Sequence, residues 1–228
     1  MTPCKCPEWV PLFPLPNAVL LPGVVLPLHV FEPRYRIMTA EALATHRMIA
    51  IALLKPGFEE KYHTLAAEVH PMACVGKIMR EERLPDGRFN FLLQGRSRAR
   101  ILGEDTALEY RRVKLQLIRP SPAQPDAECA LRRRLRALLC SEPIKSMARE
   151  ENWPGLLACE NYTLSDVVDI IAASLLPRSA DRQCFLTETC VATRTHCICD
   201  VLESIAARGL SRRENCRKPG WPPLVHDN

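Results

Sequence analysis

The stretch Arg119-Pro120-Ser121-Pro122-Ala123-Gln124-Pro125 constrains the fold of this chain more than any other, because its three prolines interrupt both kinds of regular backbone. Each proline lacks the N–H that a strand ladder needs, and inside a helix its ring meets the carbonyl four residues back. Two hydrophobic rhythms meet there. On the N-terminal side, short apolar runs are separated by turn residues; on the C-terminal side, apolar residues recur at helical spacing. The 228 residues suffice for one large domain or two small ones. The change of rhythm predicts a β domain over 1–120, a linker over 121–125, a helical domain over 126–208 and a polar, proline-containing tail over 209–228.

In the first part, residues 9–15 are extended, and Pro11 and Pro14 argue for an edge strand rather than a central one. Pro16-Asn17 and Pro22-Gly23 are turns, and Val24 to Phe31 is extended again. Pro33 suits the first turn of a helix running to Ala44, with Tyr35, Met38, Ala42 and Leu43 facing the sheet. Met48 to Leu54 reads as a buried strand. Strands over 75–84 and 88–93 flank Pro85-Asp86-Gly87, a hairpin signal because Asp-Gly tolerates the positive φ of a tight turn. Ser97 to Leu102 and Tyr110 to Ile118 complete the set, the latter with Val113, Leu115 and Leu117 on one face. Many short strands with one early helix predict an α+β protein: a curled sheet or barrel, then helices.

In the second part, Asp126 to Leu139 places Leu131, Leu135, Leu138 and Leu139 on one helical face. Leu164 to Leu176 can start from a Thr163 or Ser165 cap and stops before Pro177. One or two further helices fit within 180–205.

The formal charge of +5 does not nominate nucleic acid, and a hydrophobic content of 47% excludes wholesale disorder. Residues 1–10 lack the apolar core of a secretory signal, and the apolar stretch from Ala18 to Phe31 is too broken by Pro22, Gly23 and Pro27 to cross a bilayer. No membrane association is expected. The 11 cysteines show no disulfide spacing, which points to a reducing cytoplasm and to cysteines used mostly as small buried hydrophobes.

Residues 11–35 read PLFPLPNAVLLPGVVLPLHVFEPRY. This run, carrying Pro14, Leu15, Pro22, Gly23, Pro27, Leu28, His29, Phe31, Glu32, Pro33, Arg34 and Tyr35, closely resembles the opening signature of the Lon substrate-binding, or LON N-terminal, domain family. Val75-Gly76-Lys77-Ile78, Asp86-Gly87-Arg88-Phe89, Leu93-x-Gly95-x-x-Arg98 and Tyr110-Arg111 resemble later family segments in the same order, and Arg182-Gln183-x-Phe185-Leu186 resembles a piece of the helical half. The resemblance implies a PUA-like β domain followed by a helical bundle, and a module that recognises substrate polypeptides. It also implies a partner that is a protein or unfolded polypeptide, with a separate protease or other quality-control machinery as its setting. The helical half departs further from the pattern at Pro143, Trp153-Pro154-Gly155 and Cys197-Ile198-Cys199.

No enzyme is expected. Gly-x-x-x-x-Gly-Lys-Ser/Thr, Gly-x-Ser-x-Gly, His-Glu-x-x-His and Gly-x-Gly-x-x-Gly are all missing from the chain, so no catalytic residue and no cofactor are assigned. His29 is read as a buried, hydrogen-bonded histidine, because no nucleophile is named for it. Glu32, Arg34 and Arg36 anchor the helix start or form a polar surface, and Phe31 and Tyr35 are read as core or sheet-facing. No metal is expected; the alternative is a structural zinc on Cys4, Cys6, Cys197 and Cys199, which offer four thiolates in the sparser Cys-x-Cys spacing. The arginines at 132–134 and 136 read as a solvated helix face. The alternatives to polypeptide binding are an RNA-binding PUA-like module, by fold analogy, and an unrecognised pocket for a small ligand or enzymatic chemistry. The predicted binding surfaces are the proline-punctuated segment 11–27, the 55–74 loop and the 85–88 hairpin, with edge-strand addition as the mode of contact.

Overall fold

The computed structural model describes residues 6–142 and 144–209. Its first half is a six-stranded sheet of β1 (Trp9–Leu15), β2 (Val25–Val30), β3 (Met48–Leu53), β4 (Met72–Arg83), β5 (Phe89–Asp105) and β6 (Arg112–Ile118), with helix α1 (Pro33–Ala44) between β2 and β3. The strand order is β2-β5-β4-β3-β1-β6, and β5 pairs with β6 as well. The sheet therefore closes on itself through β1, β3, β4, β5 and β6, and β2 remains at one end, paired with the first part of β5.

Closure explains the uninterrupted apolar run of β3. Met48, Ala50 and Ala52 belong to one core with Val10, Leu12, Val75 and Val113, while Ile49, Ile51 and Leu53 belong to another that includes Tyr35 and Met38 of α1. The strand is buried on both faces, so no polar alternation is required. The residues that share the first core with the two alanines are mostly small or β-branched, as the interior of a narrow barrel demands.

Two sequence expectations change. β1 is not an edge strand: β6 pairs with residues 9–11 and β3 with residues 12–15. Because each stretch has a ladder neighbour on one side, Pro11 and Pro14 can turn their donor-less nitrogens to the other. The segments expected at 88–93 and 97–102 are one continuous strand, β5, with a register shift between Val75 and Gly76 where Arg96 bulges out. Gly95 sits at that irregularity because the 19–24 segment crosses it: Gly95 N–H donates to Val24 O at 2.8 Å, and Gly23 N–H donates to Gly95 O at 2.9 Å. A side chain on Gly95 would run into the Leu21 carbonyl.

The second half is a bundle of α2 (Pro125–Cys140), α3 (Ile144–Glu150), α4 (Trp153–Ala158), α5 (Leu164–Leu175), α6 (Ser179–Thr187) and α7 (Val191–Gly209). Pro125, read as linker, is the first residue of α2, where its missing N–H costs nothing. Leu131, Leu135 and Leu139 are buried as the spacing required. Thr163 caps α5 in a capping box with Asp166, its side chain accepting from Asp166 N–H at 3.2 Å while Thr163 N–H donates to Asp166 Oδ2 at 3.0 Å. Helices α3 and α4 were not foreseen; they bury Ile144, Ala148, Leu157 and the fully covered Trp153.

One core cluster runs through both halves, joining Ile51, Phe91 and Leu93 to Val168, Phe185 and Ile198. Within the covered seam, Arg98 of β5 donates from Nη1 and Nη2 to both carboxylate oxygens of Asp169 on α5, at 2.6 and 2.7 Å. Arg98 Nε donates to Leu186 O at 3.0 Å, and Arg194 of α7 reaches the same carboxylate and Ser165 Oγ. Gln183 Nε2 donates to Met72 O at 2.9 Å, tying α6 to β4. Asp169 is fully buried between two buried guanidinium groups, so its charge carries the seam.

Asp169→Asn leaves two buried cations without their counter-ion. It is expected to lower unfolding free energy by about 3–5 kcal/mol, read by urea denaturation. Thr163→Ala, which removes only the cap of α5, is expected to cost about 1 kcal/mol in the same assay.

Candidate functional site

The strand β2 and the parts of β4 and β5 beyond the closed barrel form a three-stranded arm. Its two faces differ by the period-two rule. Inward, Leu26 pairs with Leu93, Leu28 with Phe91 and Val30 with Phe89, and these pack into the main core. Outward, Val25 pairs with Gln94, Pro27 with Leu92 and His29 with Asn90. Val25, Pro27 and His29 are exposed, and Phe31, next in the alternation, is 60% exposed.

Phe31 is therefore not the core residue that its aromatic character suggested. It falls on the solvent side of the alternation, and the buried aromatic place is taken by Tyr35, whose ring centroid lies 4.3 Å from that of Phe13. His29 is likewise exposed rather than buried. Its Nδ1 donates to Asn90 Oδ1 at 2.6 Å, and Asn90 Nδ2 donates to Glu82 Oε2 at 3.1 Å, so a polar ladder crosses the arm. The His29 and Phe31 rings stack with centroids 6.1 Å apart. A groove of about 360 Å³ runs over this face between Pro27, Leu28 and Leu92 on one side and Arg80, Glu81 and Glu82 on the other.

The rest of the signature holds the arm in place. Glu32 and Arg34 open α1: Arg34 donates to Glu32 Oε2 at 3.2 Å and to Tyr62 O at 3.0 Å, and its guanidinium lies over the Tyr35 ring at 4.4 Å. That fixes the 55–74 segment, including a single 3-10 turn at Glu59–Lys61, against the start of α1. Burial pushes the Tyr62 hydroxyl up to about 12, so it stays protonated as a donor. Arg36 Nε donates to Gly87 O at 2.8 Å and ties the hairpin tip to the same helix. Gly87 has φ +81°, as the Asp-Gly turn required, and Asp86 Oδ1 accepts from Arg88 N–H at 3.0 Å.

The signature residues thus fall into separate places. Val25, Pro27, His29 and Phe31 share the outer face of the arm with Asn90 and Leu92 of β5. Pro14 and Leu15 lie in β1, Pro22, Gly23, Gly76 and Gly95 make the close crossing, and Arg98 belongs to the buried seam. The residues Asp169 and Arg194, which complete that seam, escaped the sequence reading; a second acid in the apolar helix 164–175, beyond the capping Asp166, was the available signal.

Cys197 is exposed and Cys199 buried in the main core, since positions two apart on a helix face different ways, while Cys6 packs on the barrel core and Cys4 lies outside the described residues. Among the described residues no group of three or more His, Cys, Asp or Glu is placed to hold a metal. Cysteine burial was also overestimated: of the nine described, Cys74 and Cys199 are buried and Cys129, Cys140, Cys184 and Cys197 are exposed, because they lie on the outer faces of helices. Of the expected arginine face, Arg134 is engaged with Glu203 at 2.7 Å and Arg132 with Glu128 at 3.0 Å. No helix among the described residues is long and apolar enough to cross a membrane.

Comparison with known proteins agrees with this architecture. The solved N-terminal domain of a Mycobacterium avium complex Lon protease superposes with a TM-score of 0.64 at 20% identity, covering 86% of this chain and 98% of that one. A Lon N-terminal domain protein from Xanthomonas campestris gives 0.59 at 21% identity, covering 83% and 96%. In sequence, the chain is 28% identical to a Lon protease of Trichlorobacter lovleyi over 184 residues and 27% identical to one of Roseiflexus castenholzii over 202 residues. The matches cover 80% and 88% of this chain but only 22% and 25% of those proteases. The model of the ATP-dependent protease La (LON) substrate-binding domain matches residues 9–204, a non-catalytic domain, and the chain belongs to that family.

Proposed function

We propose that this protein is a non-catalytic polypeptide-binding module that holds an extended or partly unfolded segment along the outer face and free edge of β2. The observation that carries this reading is the alternation Val25, Pro27, His29, Phe31: three exposed side chains on one face of an end strand and a fourth just past its end, three of the four apolar, spanning about 20 Å at strand rise. Exposed apolar side chains grouped on one surface mark a place where another chain binds.

The groove beside it supplies pockets for alternate side chains of an added strand, while main-chain hydrogen bonds to β2 supply sequence-independent affinity. Pro27 removes one donor from that edge, which disfavours open-ended pairing of copies while leaving room for a short added segment. The family supports the same reading, since its model describes a substrate-binding domain of an ATP-dependent protease. A separate protease or related quality-control machine is then the natural recipient of what the module holds. Against RNA, the groove is lined by Glu81 and Glu82 as well as Arg80, and the exposed ring beside it is Phe31, which does not make a basic stacking platform.

With a permanently unfolded, carboxymethylated polypeptide as probe, amide exchange is expected to slow in residues 25–31 and 89–94. Phe31→Ser is expected to weaken binding by about tenfold, the scale of losing one anchor side chain, with unchanged unfolding free energy. Protection confined to other segments, or binding lost steeply with salt and replaced by RNA affinity, would overturn the reading.

A further inference from the structure

A second concavity lies between the barrel and α6 and shares no lining residue with the groove of the arm. It has a volume of about 660 Å³, within the range of ligand sites, and it sits where two structural units meet. Its apolar surface comes from Pro16, Leu53, Leu54, Pro56 and Ala180. Its polar groups are acceptors or neutral: Asn17, Glu59, His70, Gln183 and Glu188. Among the described residues no lysine or arginine lines it, although the chain as a whole carries a formal charge of +5. Lys55, next to Leu54, is paired with Glu68 at 2.8 Å. Burial lowers the pKa of His70, with Lys55 adding to the effect, so the imidazole is neutral near pH 7 and adds no cation.

Gln183 supplies a second, independent observation. It is 4% exposed, its Nε2 is committed to Met72 O, and its Oε1 has no hydrogen-bond partner among the described residues. A buried amide oxygen left unmatched in the wall of a cleft is a group that a donor would satisfy. Glu188, half-buried at the same wall, accepts from Cys190 N–H through Oε1 at 2.7 Å and keeps a second carboxylate oxygen. An apolar floor with acceptors and carboxylates matches one side-chain chemistry in particular: an aliphatic stem ending in a cation.

We propose that this cleft receives a lysine or arginine side chain of a bound polypeptide, with the stem against Leu53, Leu54 and Pro56 and the cationic head between Glu188 and Glu59, beside the covered Gln183 amide. The site rests on the polypeptide-binding reading but lies apart from the β2 face. It adds a preference for basic residues at a point away from the apolar side chains of the arm.

Cys184, exposed and lining the cleft, gives a local reporter. The experiment measures its alkylation rate by mass spectrometry with blocked Ala-Lys-Ala, Ala-Arg-Ala and Ala-norleucine-Ala peptides, using exposed Cys129 of α2 as the internal control. The lysine and arginine peptides are expected to slow alkylation of Cys184 but not Cys129, and the norleucine peptide is expected to have no effect. Glu59→Gln with Glu188→Gln is expected to weaken that protection by about fivefold, the scale of exposed ion pairs. Glu59→Gln alone, on an exposed turn, keeps the test sound if the change at Glu188 disturbs the chain near Cys190.

Equal protection by norleucine, or none by any peptide, would overturn the proposal, the second outcome meaning that water alone satisfies Gln183. Amide exchange on β2 with a lysine- and arginine-free unfolded polypeptide is read in parallel. Protection there with an unresponsive Cys184 removes the cleft and keeps the β2 reading; silence at both removes both.

Discussion

The carboxylate of Asp169 is the point on which the two halves turn. Two arginines from different halves, Arg98 on β5 and Arg194 on α7, converge on it without access to water. Taking such charges out of water costs several kcal/mol per ion, which is offset only where geometry and hydrogen bonding are complete. Here Arg98 is bidentate on Asp169 and also donates to Leu186 O, and Arg194 reaches Ser165. An apolar contact of similar area would tolerate sliding of helices over sheet. A buried fork on a carboxylate does not, so the cluster sets the register of the seam and, with it, the position of α6 beside β4.

Much of this was legible in the chain, and the successes share a cause. The α1 bounds, the Asp-Gly hairpin, the Thr163 cap and the leucine face of α2 are each decided by a few neighbouring residues. The misses are decided by residues far away. Pro11 and Pro14 argue for an edge, and only the split partnership of β1 with β6 and β3 shows why an interior strand accepts them. Phe31 reads as core until the face of β2 is known, and Asp169 draws no notice until Arg98 meets it from 71 residues earlier.

The same distinction applies to the candidate surface. Residues 25–31 are contiguous in the chain, so one local run contains them, but which of them are exposed depends on the core that covers Leu26, Leu28 and Val30. The second concavity is built from 16–17, 53–59, 70 and 179–189, segments that no local pattern unites. Of these, Gln183 was noticed only as part of a resemblance; its orphan oxygen is a property of packing against Met72.

β5 is 17 residues long, and its length has a mechanical meaning. Residues 89–94 hold β2, Arg98 enters the seam, and residues 98–105 close the barrel against β6. One covalent strand is thus the beam shared by all three parts. A chain lying along β2 and pulled lengthwise loads the β2–β5 hydrogen bonds in shear, so that they resist together instead of opening one after another. The tension then passes down β5 to the Asp169 fork and into the helices. On the proposed binding mode the arm is a handle: a pull on a chain held there would move the whole body before it peels the strand away.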